Sequence, residues 1–447
     1  MAGASAARKA AFDILRKVES GHSHSDDLLR GRAVTALGAS DRNLATALVL
    51  GVLRWQIRLD HEVRALLAKP NAKLEEAVRI ALRLGAFQLR QMDRIPARAA
   101  IDESVELTKQ AGHHFAARMV NAVLRKLAAA PPFHFSEDGP ADIALAYAHP
   151  VWMVERWARL FGLEAARAIC AHGQRQPTVA LRMVDADAEA ELIEAGLEFR
   201  PGALLAAARV VVAGDVTATS AFREGRVRLQ DEGSQLVAEL AGRGDVLLDC
   251  CAAPGGKTLI LAERNPASRV VACEASEPRL AQLKERLRAL GELVECRLED
   301  ATALTNESAY DAALADVPCS GTGTLGRNPE IRHRLHAEDL PRQDERQRAI
   351  LAGALQAVRP GGQLIYSTCS LEPEENEEVV RAVLAERADT RVVSLAARID
   401  ELMREGVLTA EGAERLAGCV SREGWLRLLP GAFGTDGFFV VRLDRAG

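Results

Sequence analysis

Two cysteines carry the sharpest chemistry in this sequence. Cys319 lies in Asp316-Val317-Pro318-Cys319-Ser320-Gly321-Thr322-Gly323, and Cys369 lies in Tyr366-Ser367-Thr368-Cys369-Ser370. A thiolate is a strong nucleophile, and cysteine is the least handicapped of the common nucleophiles near neutral pH. Such a sulfur can attack an electron-poor ring. Carbon five of a cytosine does not accept a methyl group directly, but a thiolate added at carbon six makes carbon five enamine-like. An acid near the ring's N3 stabilises the charge that develops there. A base then removes the carbon-five proton and the thiol leaves. One cysteine for attack, one acid for the ring and a second cysteine for release would serve this cycle. The chemistry alone does not rank the two sulfurs, and two buried structural thiols are the competing reading.

A second constellation runs from Val246 to Thr258. The apolar run Val246 to Leu248 ends at Asp249, small residues and Pro254-Gly255-Gly256 follow, and Lys257-Thr258 opens an apolar helical pattern. This reads as a buried strand, a tight loop and a helix start, where glycines admit close backbone approach and free N–H groups favour an anionic group such as a carboxylate. The stretch is not a P-loop, since the first glycine of Gly-x4-Gly-Lys-Thr is replaced by Cys251, and it lacks Gly-x-Gly-x-x-Gly. Gly321, Gly323 and Gly326 satisfy that dinucleotide spacing, but they follow the fourth strand rather than the first, and Asn328-Pro329 comes next. With no loop for a diphosphate, an adenosine ligand with an amino-acid tail fits best. S-adenosylmethionine is the candidate, with Glu274 suited to a ribose diol and Asp300 to an adenine amino group.

The elements that must position these residues alternate. From about residue 218, strands are expected at Val246–Cys250, Arg269–Cys273, Val294–Leu298, Ala312–Ala315 and Gln363–Ser367, with helices between. That pattern means an α/β domain with a mostly parallel sheet covered on both faces, binding ligands beyond the carboxyl ends of its strands. Glu274, Asp300, Asp316 and the Asp249–Lys257 loop stand at or just after four successive strand ends. Residues 1–130 read instead as all helix, with apolar three- and four-residue spacing in Ala7–Val18, Asp41–Arg64, Leu74–Met92, Ala97–Ala111 and Phe115–Leu127. Ala128 to Pro140 reads as a linker. Residues 140–217, two helices and a small α/β piece, read as a connecting subdomain before the domain at 218–447.

Composition bounds the partners. The 447 residues carry a net charge of −5, but residues 1–130 hold 21 Lys and Arg against 13 Asp and Glu, and the remainder 36 against 49. A basic front on an acidic body suggests a polyanionic partner for the front. None of the eight cysteines stands in Cys-x-x-Cys spacing, so no metal site is expected. No apolar run reaches the roughly 18 residues of a membrane span, and the N-terminus lacks a signal-peptide core, so a cytoplasmic protein without membrane partners is expected. A monomer is the default expectation.

The motifs also resemble known families. Leu248 to Thr258 is similar to the cofactor loop of the RNA cytosine-5 methyltransferases, Asp316 to Gly323 to their Asp-Ala-Pro-Cys motif, and Tyr366 to Ser370 with Pro373-Glu374-Glu375-Asn376 to their catalytic-cysteine motif. Asp436-Gly437-Phe438-Phe439 resembles their C-terminal motif. In the front part, Asp41-Arg42, Leu53-Arg54-Trp55, Arg94 to Val105 and Arg118 to Arg125 resemble the helical, RNA-binding NusB family. Together the architecture resembles the RsmB (Fmu/Sun) family of 16S rRNA cytosine-5 methyltransferases, a NusB-like helical domain joined to a Rossmann-like methyltransferase domain with an antiparallel C-terminal edge.

The resemblance implies S-adenosylmethionine as cofactor and small-subunit rRNA, free or in an assembling particle, as partner. It implies that Cys369 is the nucleophile, that Cys319 assists release, and that Cys251, Ala252, Ala253, Pro254, Gly255, Gly256, Lys257, Glu274, Asp300 and Asp316 bind the cofactor. Asp316 would also face the cytosine, and Lys257 would organise that acid. Val317 stands where the family has alanine and Glu274 where aspartate is common. A tRNA cytosine-5 methyltransferase would share the catalytic half, and a non-catalytic RNA-binding assembly or antitermination factor would share the front. The NusB-like front argues against the first, and the complete set of Cys319, Cys369, Asp316 and the glycine loop argues against the second.

Overall fold

The computed structural model describes residues 3–21, 23–304 and 307–447. Met1 and Ala2, which open the expected helical domain, lie outside the described residues. The chain divides into two compact units, residues 1–175 with 325–334, and residues 176–324 with 335–447.

The first unit is helical. Its main helices are Ala6–Glu19, Ala39–Leu66, Glu76–Gln91, Ala97–Gln110 and Ala117–Ala129. Their apolar stripes close on one core that includes Leu48, Ile80, Leu84, Leu124 and Leu127. Gly51 and Phe87 show how tight this core is: a Cβ at Gly51 would stand 2.0 Å from the Phe87 ring. Trp55 packs partly buried against the same core, as expected of a core aromatic.

Three further helices, Pro140–Ala146, Val151–Phe161 and Leu163–Gln174, belong to this unit. The expected 140–217 subdomain is therefore divided between the two units. So is the expected 218–447 domain, because Leu325–Arg334 belongs to the helical unit. Hydrogen bonds show why. Arg332, only 2% exposed, donates to the carbonyls of Arg54 (3.0 Å), Ala148 (3.1 Å), Gly173 (3.3 Å) and Leu325 (3.3 Å), and Arg54 donates to the Gly326 carbonyl at 2.7 Å.

The second unit holds two sheets. The smaller is antiparallel, formed by β1 (Ala180–Met183), β2 (Glu198–Pro201), β3 (Ala208–Ala213) and β4 (Val227–Leu229) in the order β2-β3-β1-β4. Buried Arg182 on β1 bonds Glu239 (2.7 Å) and Glu263 (2.9 Å). These acids stand on the helices Glu232–Leu240 and Gly256–Arg264.

The larger sheet is formed by β5 (Val246–Asp249), β6 (Arg269–Glu274), β7 (Val294–Leu298), β8 (Tyr310–Asp316), β9 (Val358–Thr368), β10 (Thr390–Val393), β11 (Leu426–Leu428) and β12 (Phe438–Arg445). Its order is β10-β12-β9-β8-β5-β6-β7, with β11 also pairing β12. β9, β8, β5, β6 and β7 run parallel, and β12 and β10 close that side antiparallel. The chain leaves β5 toward β6 and returns on its other side at β8, so the switch point where open α/β sheets bind ligands lies at Asp249.

Candidate active site

At the end of β5 the loop turns sharply. Gly255 has φ +97°, a left-handed conformation, and immediately precedes the helix Gly256–Arg264. A Cβ there would be strained and would also stand 3.0 Å from Leu283. The turn points the first helical residues back at the sheet. Lys257 Nζ donates to Asp316 Oδ2 at 2.7 Å, and Thr258 Oγ1 donates to Asp249 Oδ2 at 2.7 Å.

Asp316, at the end of β8, is held from both sides. Lys257 takes one oxygen, and Ser367 Oγ on β9 donates to the other at 2.7 Å. The ion pair is largely shielded, with side chains 16% and 25% exposed. Burial alone would lower the Lys257 pKa, but the charge and hydrogen bond of Asp316 reverse this and leave it raised. Among the described residues no ion pair reaches Asp249, and Lys257 acts on it only as a lesser electrostatic influence. Burial pushes its carboxyl up to about 6, against the opposing pull of the Thr258 hydroxyl.

β8 and β9 are parallel neighbours, so their following loops start side by side. Val317 N donates to Ser367 O at 3.0 Å, and Gly323 N to Cys369 O at 2.9 Å. The two sulfurs meet: Cys319 Sγ lies 3.4 Å from Cys369 Sγ. The hydrogen bond to Cys369 and burial hold the Cys319 thiol well above its ordinary pKa. Either sulfur can donate to the other, and Lys257 stands within electrostatic reach of Cys369.

Two clefts flank this centre. The larger, about 200 Å³, is lined by Cys251, Ala253, Glu274, Asp300, Asp316, Cys319 and Cys369, among others. The expected ribose and adenine acids, the central acid and both cysteines therefore share one cavity. Glu274 Oε1 accepts from Ser276 N at 2.8 Å, and Asp300 Oδ1 from Thr302 N at 2.9 Å, which lowers the Asp300 pKa. The smaller cleft, about 130 Å³, takes Ala252, Pro254, Gly256 and Lys257, together with Asp249, Gln230 and Arg286. Cys251, Ala253 and Asp316 line both, and Gly255 lines neither.

Sequence reasoning missed the partners of the chemical residues. Ser367 orients Asp316, Thr258 holds Asp249, and Glu375 and Gln347 lie beneath the cysteine loops. Ser367 and Glu375 stood inside stretches already singled out, but spacing does not say which neighbours they bond.

The fold and motifs agree with known proteins. Residues 239–444 match the family described as 16S rRNA methyltransferase RsmB/F, and residues 5–129 match the NusB family. The probable ribosomal RNA small subunit methyltransferase B of Bacillus subtilis is 35% identical, aligned over 98% of this chain and 99% of its own. The ribosomal RNA small subunit methyltransferase B of Vibrio cholerae is 33% identical over 86% of this chain and 90% of its own. The crystal structure of PH0851 covers 100% of both chains with a TM-score of 0.79 at 23% identity, which supports the fold. With a helical NusB region in front and this cleft behind, the chain belongs to the RsmB/F family of 16S rRNA methyltransferases.

Proposed function

We propose that the protein transfers a methyl group from S-adenosylmethionine to carbon five of a cytosine in small-subunit rRNA, through a covalent bond between Cys369 and carbon six. The observation that carries this reading is the Cys319–Cys369 pair, 3.4 Å apart, in one cleft with Asp316, Glu274 and Asp300. A factor that only binds RNA has no use for that arrangement.

The donor set suits the cofactor. Glu274 offers a carboxylate to a ribose diol and Asp300 one to an adenine amino group, while the helix start at Gly256 suits a carboxylate tail. S-adenosylmethionine, when bound, supplies an electrophilic methyl group. The protein's own residues do the rest. Cys369 attacks carbon six as thiolate, with the Lys257 ammonium near. Asp316, steadied by Lys257 and Ser367, faces the N3 edge of the ring, and the acid with its Lys257 ammonium partner stabilises the charge that develops there. After methyl transfer the carbon-five proton leaves to a base and the Cys369–carbon bond breaks. The Cys319 thiol, donating to Cys369 Sγ, stabilises the departing thiolate. The target base must be unpaired or flipped for both groups to reach it.

The test is methyl transfer from labelled S-adenosylmethionine to a small-subunit rRNA transcript, with the product nucleoside identified. Wild type yields 5-methylcytidine. Cys369→Ala yields none but still binds RNA, and Cys319→Ala accumulates a protein–RNA adduct on a denaturing gel. Transfer to tRNA alone, or equal activity in Cys369→Ala, contradicts the proposal.

A further inference from the structure

Glu375 is a buried carboxyl group, 0% exposed. Among the described residues its side chain is met by hydrogen-bond donors and by no cation. Oε1 accepts from Ser320 N at 2.8 Å and Gln347 Nε2 at 3.1 Å, and Oε2 accepts from the hydroxyls of both Ser320 and Ser370. Ser320 follows Cys319 and Ser370 follows Cys369. Gln347 also donates to the carbonyl of Pro318, the residue before Cys319, at 2.9 Å. The Tyr366 hydroxyl, three residues before Cys369, donates to the Glu375 carbonyl at 2.6 Å.

We propose that Glu375 is a positioning residue of the methyl-transfer site, a buried clamp that sets the approach of the Cys319 thiol to the Cys369 sulfur. The proposal rests on the function proposed above for the role of that approach in turnover. Three physical points carry it. Strand pairing ends at Asp316↔Ser367, and beyond it the two cysteine loops are tied by single hydrogen bonds such as Gly323 N to Cys369 O, to which Glu375 adds bonds to the residue after each cysteine. The two Glu375 oxygens meet four donors, about as many as a carboxylate has lone-pair positions; a glutamine amide would present N–H groups to one pair of them. An unpaired buried carboxylate is costly, so its hydrogen-bond donors must hold their geometry around it. The negative charge of Glu375 is also a lesser cause, after the Cys369 hydrogen bond, burial and the Cys369 charge, of the raised Cys319 pKa.

The experiment uses the full chain as wild type, Glu375→Gln, Ser320→Ala and Ser370→Ala. The first readout needs no RNA. It is the equilibrium between the dithiol and the Cys319–Cys369 disulfide in a glutathione buffer, resolved by peptide mass spectrometry. Loosening the clamp lowers the effective concentration of one sulfur at the other, so Glu375→Gln shifts this equilibrium toward dithiol by about tenfold. The second readout is methyl transfer to the rRNA transcript. Glu375→Gln lowers kcat by about 10- to 100-fold with KM for RNA unchanged, as expected of misplaced reacting groups, and the serine variants show smaller losses in the same sense. If Glu375→Gln does not fold, the serine variants decide alone. A folded Glu375→Gln, or both folded serine variants, with wild-type disulfide equilibrium and kcat overturns the proposal, as does a loss confined to KM. If the wild type transfers no methyl group, the proposed function fails, while the disulfide equilibrium still decides the clamp.

Discussion

Asp249→Asn should make the methyltransferase unit more stable, and more so at higher pH. Asp249 is 1% exposed, and its carboxyl is pushed from 3.8 up to about 6. The folded protein therefore holds the proton more tightly than the unfolded chain does. Between those two values unfolding releases a proton, so stability falls as pH rises through the window and stays lowered above it. A shift of about two units at ~1.4 kcal/mol per unit costs roughly 3 kcal/mol above pH 6. At pH 5 about half of that is incurred already. An asparagine carries no charge, and its amide oxygen can still accept the Thr258 hydroxyl. The expected gain is thus up to about 3 kcal/mol at pH 7.5 and about 1.5 kcal/mol at pH 5. Because the chain has two units, a global melting curve mixes two transitions. Hydrogen exchange at the amides of Leu247 and Leu248, both buried in β5, reports the relevant unit. A gain that is absent, or equal at the two pH values, would refute the reasoning that a buried charge is carried here at a cost. That charge also serves the site, since it is one of the influences that raise the Lys257 pKa.

Two further substitutions test the same centre. Lys257→Met removes the partner of a largely shielded carboxylate and, among the described residues, leaves Asp316 the Ser367 hydroxyl. It should destabilise the unit by about 3 kcal/mol in denaturant titrations and lower kcat by about 100-fold or more. Gly323→Ala adds a Cβ that would stand 2.7 Å from the Gly437 carbonyl and 2.8 Å from that of Cys369, both backbone atoms. The loops must shift to admit it, at a cost of about 1–3 kcal/mol, and methyl transfer should fall by about tenfold or more because Cys369 moves.

The parts of the fold legible in the sequence were those with a period or a punctuation mark. The strand–helix alternation after residue 218 and the helical stripes before 130 both reappear, because burial on two faces and on one stripe leaves distinct patterns. Pro140 misled: read as the end of a linker, it is the first residue of the helix Pro140–Ala146, where a missing N–H costs nothing. The helices Ser25–Leu29 and Arg32–Thr35 are too short to show a period. Leu325–Arg334 could not be assigned to the helical unit from spacing, since its anchors are backbone carbonyls at Arg54, Ala148 and Gly173, which leave no trace in side-chain type. At the site, strand ends located the acids and cysteines. Their partners lie across the fold. Lys257 and Asp316 are 59 positions apart and Ser320 and Glu375 are 55, so their bonding emerges only when the sheet sets β5, β8 and β9 side by side.

The charge of the site divides the labour of binding. The larger cleft presents Glu274, Glu299, Asp300 and Asp316 against Arg279 and Arg346. Acids there suit hydroxyl, amino and cationic groups, and the positively charged sulfonium of the proposed methyl donor among them. They do not suit phosphates. On the proposed function a polyanion would be repelled by the cleft that receives one of its bases, and attraction for the RNA backbone has to come from another part of the chain. Residues 1–130, with 21 Lys and Arg against 13 Asp and Glu, have the required sign. Binding should therefore weaken with rising salt through that basic stretch, while in the proposed reaction the acid-lined cleft would take the base and not the phosphates. The two sulfurs follow the same logic at closer range. Buried near Glu375 and hydrogen-bonded to its neighbour, Cys319 stays a thiol. Cys369 instead lies within electrostatic reach of the Lys257 ammonium. Two residues of one type, each following a neighbouring strand, are thus set by the fold beside different groups, Cys319 near Glu375 and Cys369 near Lys257.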